Sequence, residues 1–289
     1  MRLSHSRPKR KTLLNNNQAV SPAISTVIMT AALVVLVIVA MNYANSSLGL
    51  QLAADEFGAN KQFMQSASLQ IDNVAWTIGR TETVDYTAKF GQVTFNSSVI
   101  NYTFEIYNGS SWQTLYNCTT GMLLYNMPVK AYSLGNNYFS RIIPSSNGSI
   151  LQWNASAPVS QVFATEKLPM KDGNYLRIVT VPIVRALNST LITGGTYYKF
   201  YFPCLVSGSN PYLFPSVTLT GSGLTKVTAS GTITQVRINA TALAPVTNPP
   251  GFNSAFFNFD HNTTTITIPN GSLIEFYVGT VTVSLGMGP

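Results

Sequence analysis

From Ala23 to Met41 the chain runs for nineteen residues without a charge, a glycine or a proline. As a helix this stretch extends about 28 Å, enough to cross the hydrocarbon core of a bilayer. It exceeds the roughly 7–15 apolar residues of an ordinary secretory signal, and no small-x-small cleavage site follows it cleanly. Arg7, Lys9, Arg10 and Lys11 precede it and almost no basic residue follows closely, so the N-terminus stays cytoplasmic and everything beyond Met41 faces out. Ser21 is a suitable N-cap and Pro22 a suitable first helical residue, because its missing N–H is one that no partner would satisfy there.

The helical pattern continues past the apolar run. No proline occurs between Ala23 and Met127. Phe57, Met64, Ile71 and Ile78 recur at heptad spacing with Asn60, Ala67 and Val74 between them, while Asp55, Glu56, Lys61, Gln65 and Asp72 fall elsewhere on the helix. Pro22 to about Ile78 reads as one rod of roughly 80 Å, with Gly49 and Gly58 as the places for a break or bend. Two readings fit: an assembly helix, or a membrane anchor that continues into a helix packed on its own domain.

The junction before the apolar run carries a resemblance. Val20-Ser21-Pro22-Ala23-Ile24-Ser25-Thr26-Val27-Ile28, preceded by Ala19 and a short basic leader, resembles the mature start of the archaeal type IV pilin-like family. The likeness covers about the first 60 residues. It departs in two ways: the basic residues end eight positions before Ala19, behind a polar spacer, and the fifth mature residue is Ile24 rather than the Glu that bacterial pilins pair with a neighbouring N-terminus. The resemblance therefore supplies no mechanism of subunit register.

It does imply a leader 1–19 cut between Ala19 and Val20 by a prepilin peptidase, a retained helix over 20–79, and an outer head over 80–289. The implied partners are further copies of the chain in a helical homopolymer, the membrane, the peptidase and the pilus assembly machinery. Ile24, Val27, Ile28, Ala31, Leu33, Val34, Leu36 and Ile38 would form the assembly face, with small residues such as Ser25, Thr26, Thr30 and Ala32 allowing close approach. A membrane precursor with its head outside the cell would become an extracellular, adhesive filament. The alternative is an anchored surface adhesin or solute-binding protein that never polymerises, and an anchored hydrolase is the remaining reading.

Charge supports an outer location. Five of the seventeen basic residues lie at or before Lys11, leaving twelve basic against ten acidic residues in the rest. The basicity is thus a topology signal, and no nucleic-acid partner is expected. So few charges leave surface solubility to another group. Asn-x-Ser/Thr sequons occur at Asn96, Asn101, Asn108, Asn117, Asn147, Asn154, Asn188, Asn239, Asn262 and Asn270, in excess of chance, and point to a sugar-coated surface. Asn45 also sits in a sequon but lies too near the membrane-spanning stretch.

After about Arg80 the period changes from helical to alternating, as in 101–107, 177–181, 264–268 and 274–285, separated by turn pairs such as Asn108-Gly109 and Asn270-Gly271. The expectation is an α+β chain: a long N-terminal hydrophobic helix, then a large antiparallel β-sandwich-like head, as one unit or two with a boundary near 144–158. Cys118 and Cys204 are the only cysteines; they either bridge across 85 intervening residues or remain two buried thiols. The aromatic runs 197–198, 200–202, 256–257 and Phe259 read mainly as core, although exposed they would suit carbohydrate stacking.

Chemistry-bearing motifs are few. His261 is the one histidine beyond the leader, which leaves no multi-histidine metal centre or histidine pair. There is no Gly-x-Ser-x-Gly elbow, phosphate loop or dinucleotide fingerprint, and the carboxylates are scattered singly. No enzyme activity, cofactor or metal is implied.

Overall fold

A computed structural model describes residues 17–145, 148–166, 175–190, 195–208, 215–243, 257 and 259–286. Among the described residues the chain forms one long helix, α1 (Asn17–Ala75), followed by thirteen strands. By contacts it falls into two compact units, 1–51 and 52–289.

The helix starts four residues earlier than Ser21. Asn17, a preferred residue at helix starts, heads it, and Pro22 lies in its second turn, where one backbone bond near the helix end is lost. Gly49 and Gly58 produce no break, because each costs only about 1 kcal/mol against a long, otherwise favourable helix. The helix ends at Ala75 rather than near Ile78; Thr77 caps back to the Val74 carbonyl and Gly79 turns the chain with φ 84°.

The β domain is built from β1 (Thr81–Asp85), β2 (Gln92–Tyr107), β3 (Trp112–Pro128), β4 (Tyr138–Ile143), β5 (Leu151–Trp153), β6 (Ser160–Glu166), β7 (Tyr175–Pro182), β8 (Val184–Thr190), β9 (Thr196–Ser207), β10 (Ser216–Ala229), β11 (Gln235–Ala242), β12 (Thr263–Thr267) and β13 (Leu273–Leu285). They form a six-stranded sheet, β1-β10-β13-β9-β8-β5, and a seven-stranded sheet, β12-β11-β2-β3-β7-β6-β4. The sheets are not purely antiparallel: β13 pairs with β9, and β5 with β8, in parallel. Hairpin turns announce only local antiparallel pairs, whereas β9 and β13 meet after the chain has left for the other sheet and returned. Strands from before and after 144–158 share both sheets, so 52–289 forms one unit.

Between the sheets lies an aromatic core. Phe202 of β9 meets Tyr102 of β2 at 4.5 Å between ring centres, and Phe104 of β2 meets Phe276 of β13 at 5.3 Å. The buried Tyr102 hydroxyl donates to the Pro182 carbonyl at 2.8 Å, so its desolvation is offset. A second core surrounds residues 53–75 of the helix and draws on both sheets, including Leu123, Ile178, Leu219 and Val281. β6 and most of β7 are consequently buried on both faces, and their polar residues, Ser160, Gln161, Thr165, Glu166, Arg177 and Thr180, are buried with them.

Candidate functional site

The helix has two chemically different stretches. From Ile24 through Leu52 its large apolar side chains are exposed on every face; Val27, Leu33 and Leu36 are 67%, 58% and 64% accessible. Val34, Ile38, Ile28 and Ala31 share that exposure. An all-round apolar helix needs lipid or other helices around it. The Thr30 hydroxyl donates to the Thr26 carbonyl at 2.8 Å, so this polar group is satisfied inside the helix. By length and hydropathy the stretch suffices to cross a membrane, as an anchor or a signal would. Ala19 and Val20 lie in the first turn of the helix, while Arg7, Lys9, Arg10 and Lys11 lie outside the described residues.

From Ala53 onward the same helix is buried along one seam. Phe57, Asn60, Met64, Ala67, Ile71 and Val74 are all within 5% exposure, at alternating spacings of three and four. Ile78, expected on this seam, is exposed because the helix has already ended.

Glu56, expected off the seam, is buried. Its carboxylate accepts the backbone N–H groups of Lys89, Phe90 and Gly91 at 2.9–3.1 Å and the Tyr125 hydroxyl at 2.8 Å. Three convergent amides make an anion cradle, and a charged group is tolerable in such a site only because its lone pairs are filled. Gly91 is required there: a β-carbon would strike the Tyr125 hydroxyl. Burial and the neighbouring carboxylate both push the Tyr125 hydroxyl well above its ordinary pKa. Asn60, one turn on, donates to the Thr87 carbonyl at 2.8 Å.

The last turn is clamped too. Asp72 accepts both terminal nitrogens of Arg185 at 2.8 and 3.1 Å and the Trp76 indole N–H at 2.7 Å. Gly221 and Gly279 leave room for the helix terminus, since β-carbons there would strike the Val74 and Ala75 carbonyls. None of these partners was legible in the sequence. Backbone amides carry no residue signature, and Arg185 lies 113 positions from Asp72.

The cysteines are joined: Cys118 of β3 and Cys204 of β9 form a disulfide between the two sheets. Of the sequon asparagines, Asn117, Asn154, Asn188, Asn262 and Asn270 are exposed, Asn96, Asn101, Asn108 and Asn239 are half-buried, and Asn147 lies outside the described residues. Asn101, Asn117 and Asn239 gather on the outer face of the seven-stranded sheet, because in Asn-x-Thr on a strand both polar residues face outward while Tyr102, Cys118 and Ala240 face in. His261 is exposed beside Asp260. Among the described residues no group of three or more His, Cys, Asp or Glu side chains is placed to hold a metal ion.

The aromatic runs divide by strand alternation. Tyr198, Phe200 and Phe202 are core, and Tyr197 and Tyr201 face outward, half-buried. Phe257 is buried, and Phe256 lies outside the described residues. Comparison of the chain with family models, with curated proteins and with solved structures finds no match.

Proposed function

We propose that the chain is a structural subunit of an archaeal type IV pilus-like surface filament, cut by a prepilin peptidase between Ala19 and Val20. One observation carries this reading: a single helix is apolar and exposed on all faces over 24–52, then becomes the buried seam of a β domain over 53–75. In the precursor, lipid covers the exposed part. In the filament, the same side chains meet those of neighbouring subunits, and extraction exchanges one apolar surrounding for another. Cleavage removes the first three helical residues and leaves Pro22 in the first turn, where its missing N–H costs little.

The clamp formed by Glu56, Asp72 and the seam makes each helix carry its own head. A large head with few charges and many sequons suits adhesion at a cell surface, with N-linked sugars supplying the solvation that charges do not.

Shearing cells and sequencing the recovered protein tests the proposal. The expected result is filaments visible by electron microscopy whose subunits begin at Val20. A chain that begins at Met1, or one that stays in the membrane fraction with no filament, overturns it and leaves the anchored, non-polymerising surface protein.

A further inference from the structure

The face of the six-stranded sheet turned away from the aromatic core carries, beside the end of the helix, an aromatic and basic row that no motif in the sequence announces. Strand register aligns Gln152 of β5, Arg185 of β8, Tyr201 of β9, Tyr277 of β13 and Lys226 of β10 directly side by side. Tyr201 and Tyr277 stack at 5.1 Å, and Trp76 meets Tyr201 edge-on at 5.2 Å. Cations lie along the row: Arg185 is 5.3 Å from the Tyr201 ring centre and Lys226 is 5.6 Å from that of Tyr277. In the neighbouring rows, Lys199 stands beside Glu275 and 4.7 Å from the Tyr197 ring.

The charge balance favours an anion. Glu275 is 6% exposed, and its carboxylate is already occupied by Lys226, Tyr197 and Tyr277. Asp72 is likewise taken by Arg185 and Trp76. Both carboxylates are therefore spent on internal contacts. The Lys226 side chain is 49% exposed and its ammonium has donors to spare, and Lys199 lies on the other side of the same carboxylate. Three cations against two satisfied carboxylates make the strip weakly positive, too weakly for a polyphosphate, whose binding needs many neutralised charges.

We propose that this row binds an extended acidic polysaccharide, which lies along the outer edges of Trp76, Tyr201 and Tyr277 with its sugar carboxylates at Lys226 and Lys199. Strands spaced by about 4.8 Å repeat their outward side chains at intervals comparable to one sugar ring of an extended chain, so a polymer lying across the strands meets one row residue per unit. The ring C–H faces supply apolar contact, while the tyrosine hydroxyls and ammonium groups supply hydrogen bonds. The proposal goes beyond filament assembly and stands without it, since every residue of the row lies between Trp76 and Tyr277.

The test is binding of the full-length chain in detergent micelles to immobilised polygalacturonate, with dextran and single-stranded DNA as comparison polymers. Polygalacturonate is expected to bind, with dextran and DNA at least tenfold weaker. Tyr201→Ser, Tyr277→Ser and Lys226→Gln should each weaken binding by roughly tenfold, the scale of one lost stacking or charge contact. Thermal melting monitors folding of every variant, and because Lys226 also pairs with the buried Glu275, Lys226→Arg, which keeps that pair, should retain binding where Lys226→Gln loses it. The proposal is overturned if polygalacturonate does not bind, if dextran or DNA binds equally well, or if Lys226→Gln with an unchanged melt binds like the parent chain.

Discussion

The Tyr125 hydroxyl donates to the Glu56 carboxylate at 2.8 Å, joining the helix to β3 across 69 positions of sequence. The backbone amides of Lys89, Phe90 and Gly91 complete the cradle, so one side chain ties the helix both to a loop and to a sheet. This contact distinguishes a helix that is built into the head from one that merely precedes it.

Removing the carboxylate exposes the cradle. Glu56→Ala leaves three buried amides and a hydroxyl without an acceptor and is expected to destabilise the fold by about 3 kcal/mol or more, whereas Tyr125→Phe, which leaves the amide bonds in place, should cost about 1–2 kcal/mol. Denaturant midpoints followed by tryptophan fluorescence read both; equal losses would refute the assignment of the main role to the amides.

Glycines of different context should respond in opposite directions. At Gly279 a β-carbon strikes the Ala75 carbonyl, so Gly279→Ala should displace the helix end and cost about 1–3 kcal/mol. At Gly58, inside the helix with nothing within 4 Å, Gly58→Ala should stabilise by up to about 1 kcal/mol. Thermal melts of the two variants give the comparison.

Reduction of the Cys118–Cys204 bridge frees a loop of 85 intervening residues. The expected loss of stability is about 4 kcal/mol on the loop-entropy scale. Melting with and without reductant measures it, and an assay of the unfolded, unreduced chain should find no free thiol.

Glu275 sets a pH dependence. Burial opposes its ionisation, but hydrogen bonds from Lys226, Tyr197 and Tyr277 outweigh that and lower its pKa from 4.5 to about 2. A carboxylate depressed in the folded state adds stability above its unfolded pKa and loses it as pH falls through the folded value. Stability should therefore decline between about pH 4.5 and 2, and Glu275→Gln should flatten that part of the profile. Urea midpoints measured across the window test this, and an unchanged slope in the variant would contradict it.

Much of the fold was legible because it follows from periodicity. The spacing of Phe57, Asn60, Met64, Ala67, Ile71 and Val74 marks one helix face whatever covers it, and alternation marks the strands of 101–107 and 274–285 in the same way. Gly49 and Gly58 mark places for a break or bend in the sequence and yet lie inside one helix, because composition states the local cost of a residue and not the length of helix that absorbs it. The helix ends three residues before Ile78 at a turn made by Thr77 and Gly79, and the close seating of its last turn against Gly221 and Gly279, far along the chain, leaves no local mark.

Local pattern is enough to show that an uncharged helix precedes a β-rich region and that one side of the later helix is apolar. These are properties of neighbours within a few positions, set by the 3.6- and 2-residue repeats of the backbone. Tertiary structure alone decided that Glu56 is buried, that the cysteines are joined, that β9 and β13 run in parallel, and that Arg185, Tyr201, Tyr277 and Lys226 form one row. Each depends on strand register or on backbone donors that every residue but proline possesses, and local pattern carries no trace of either.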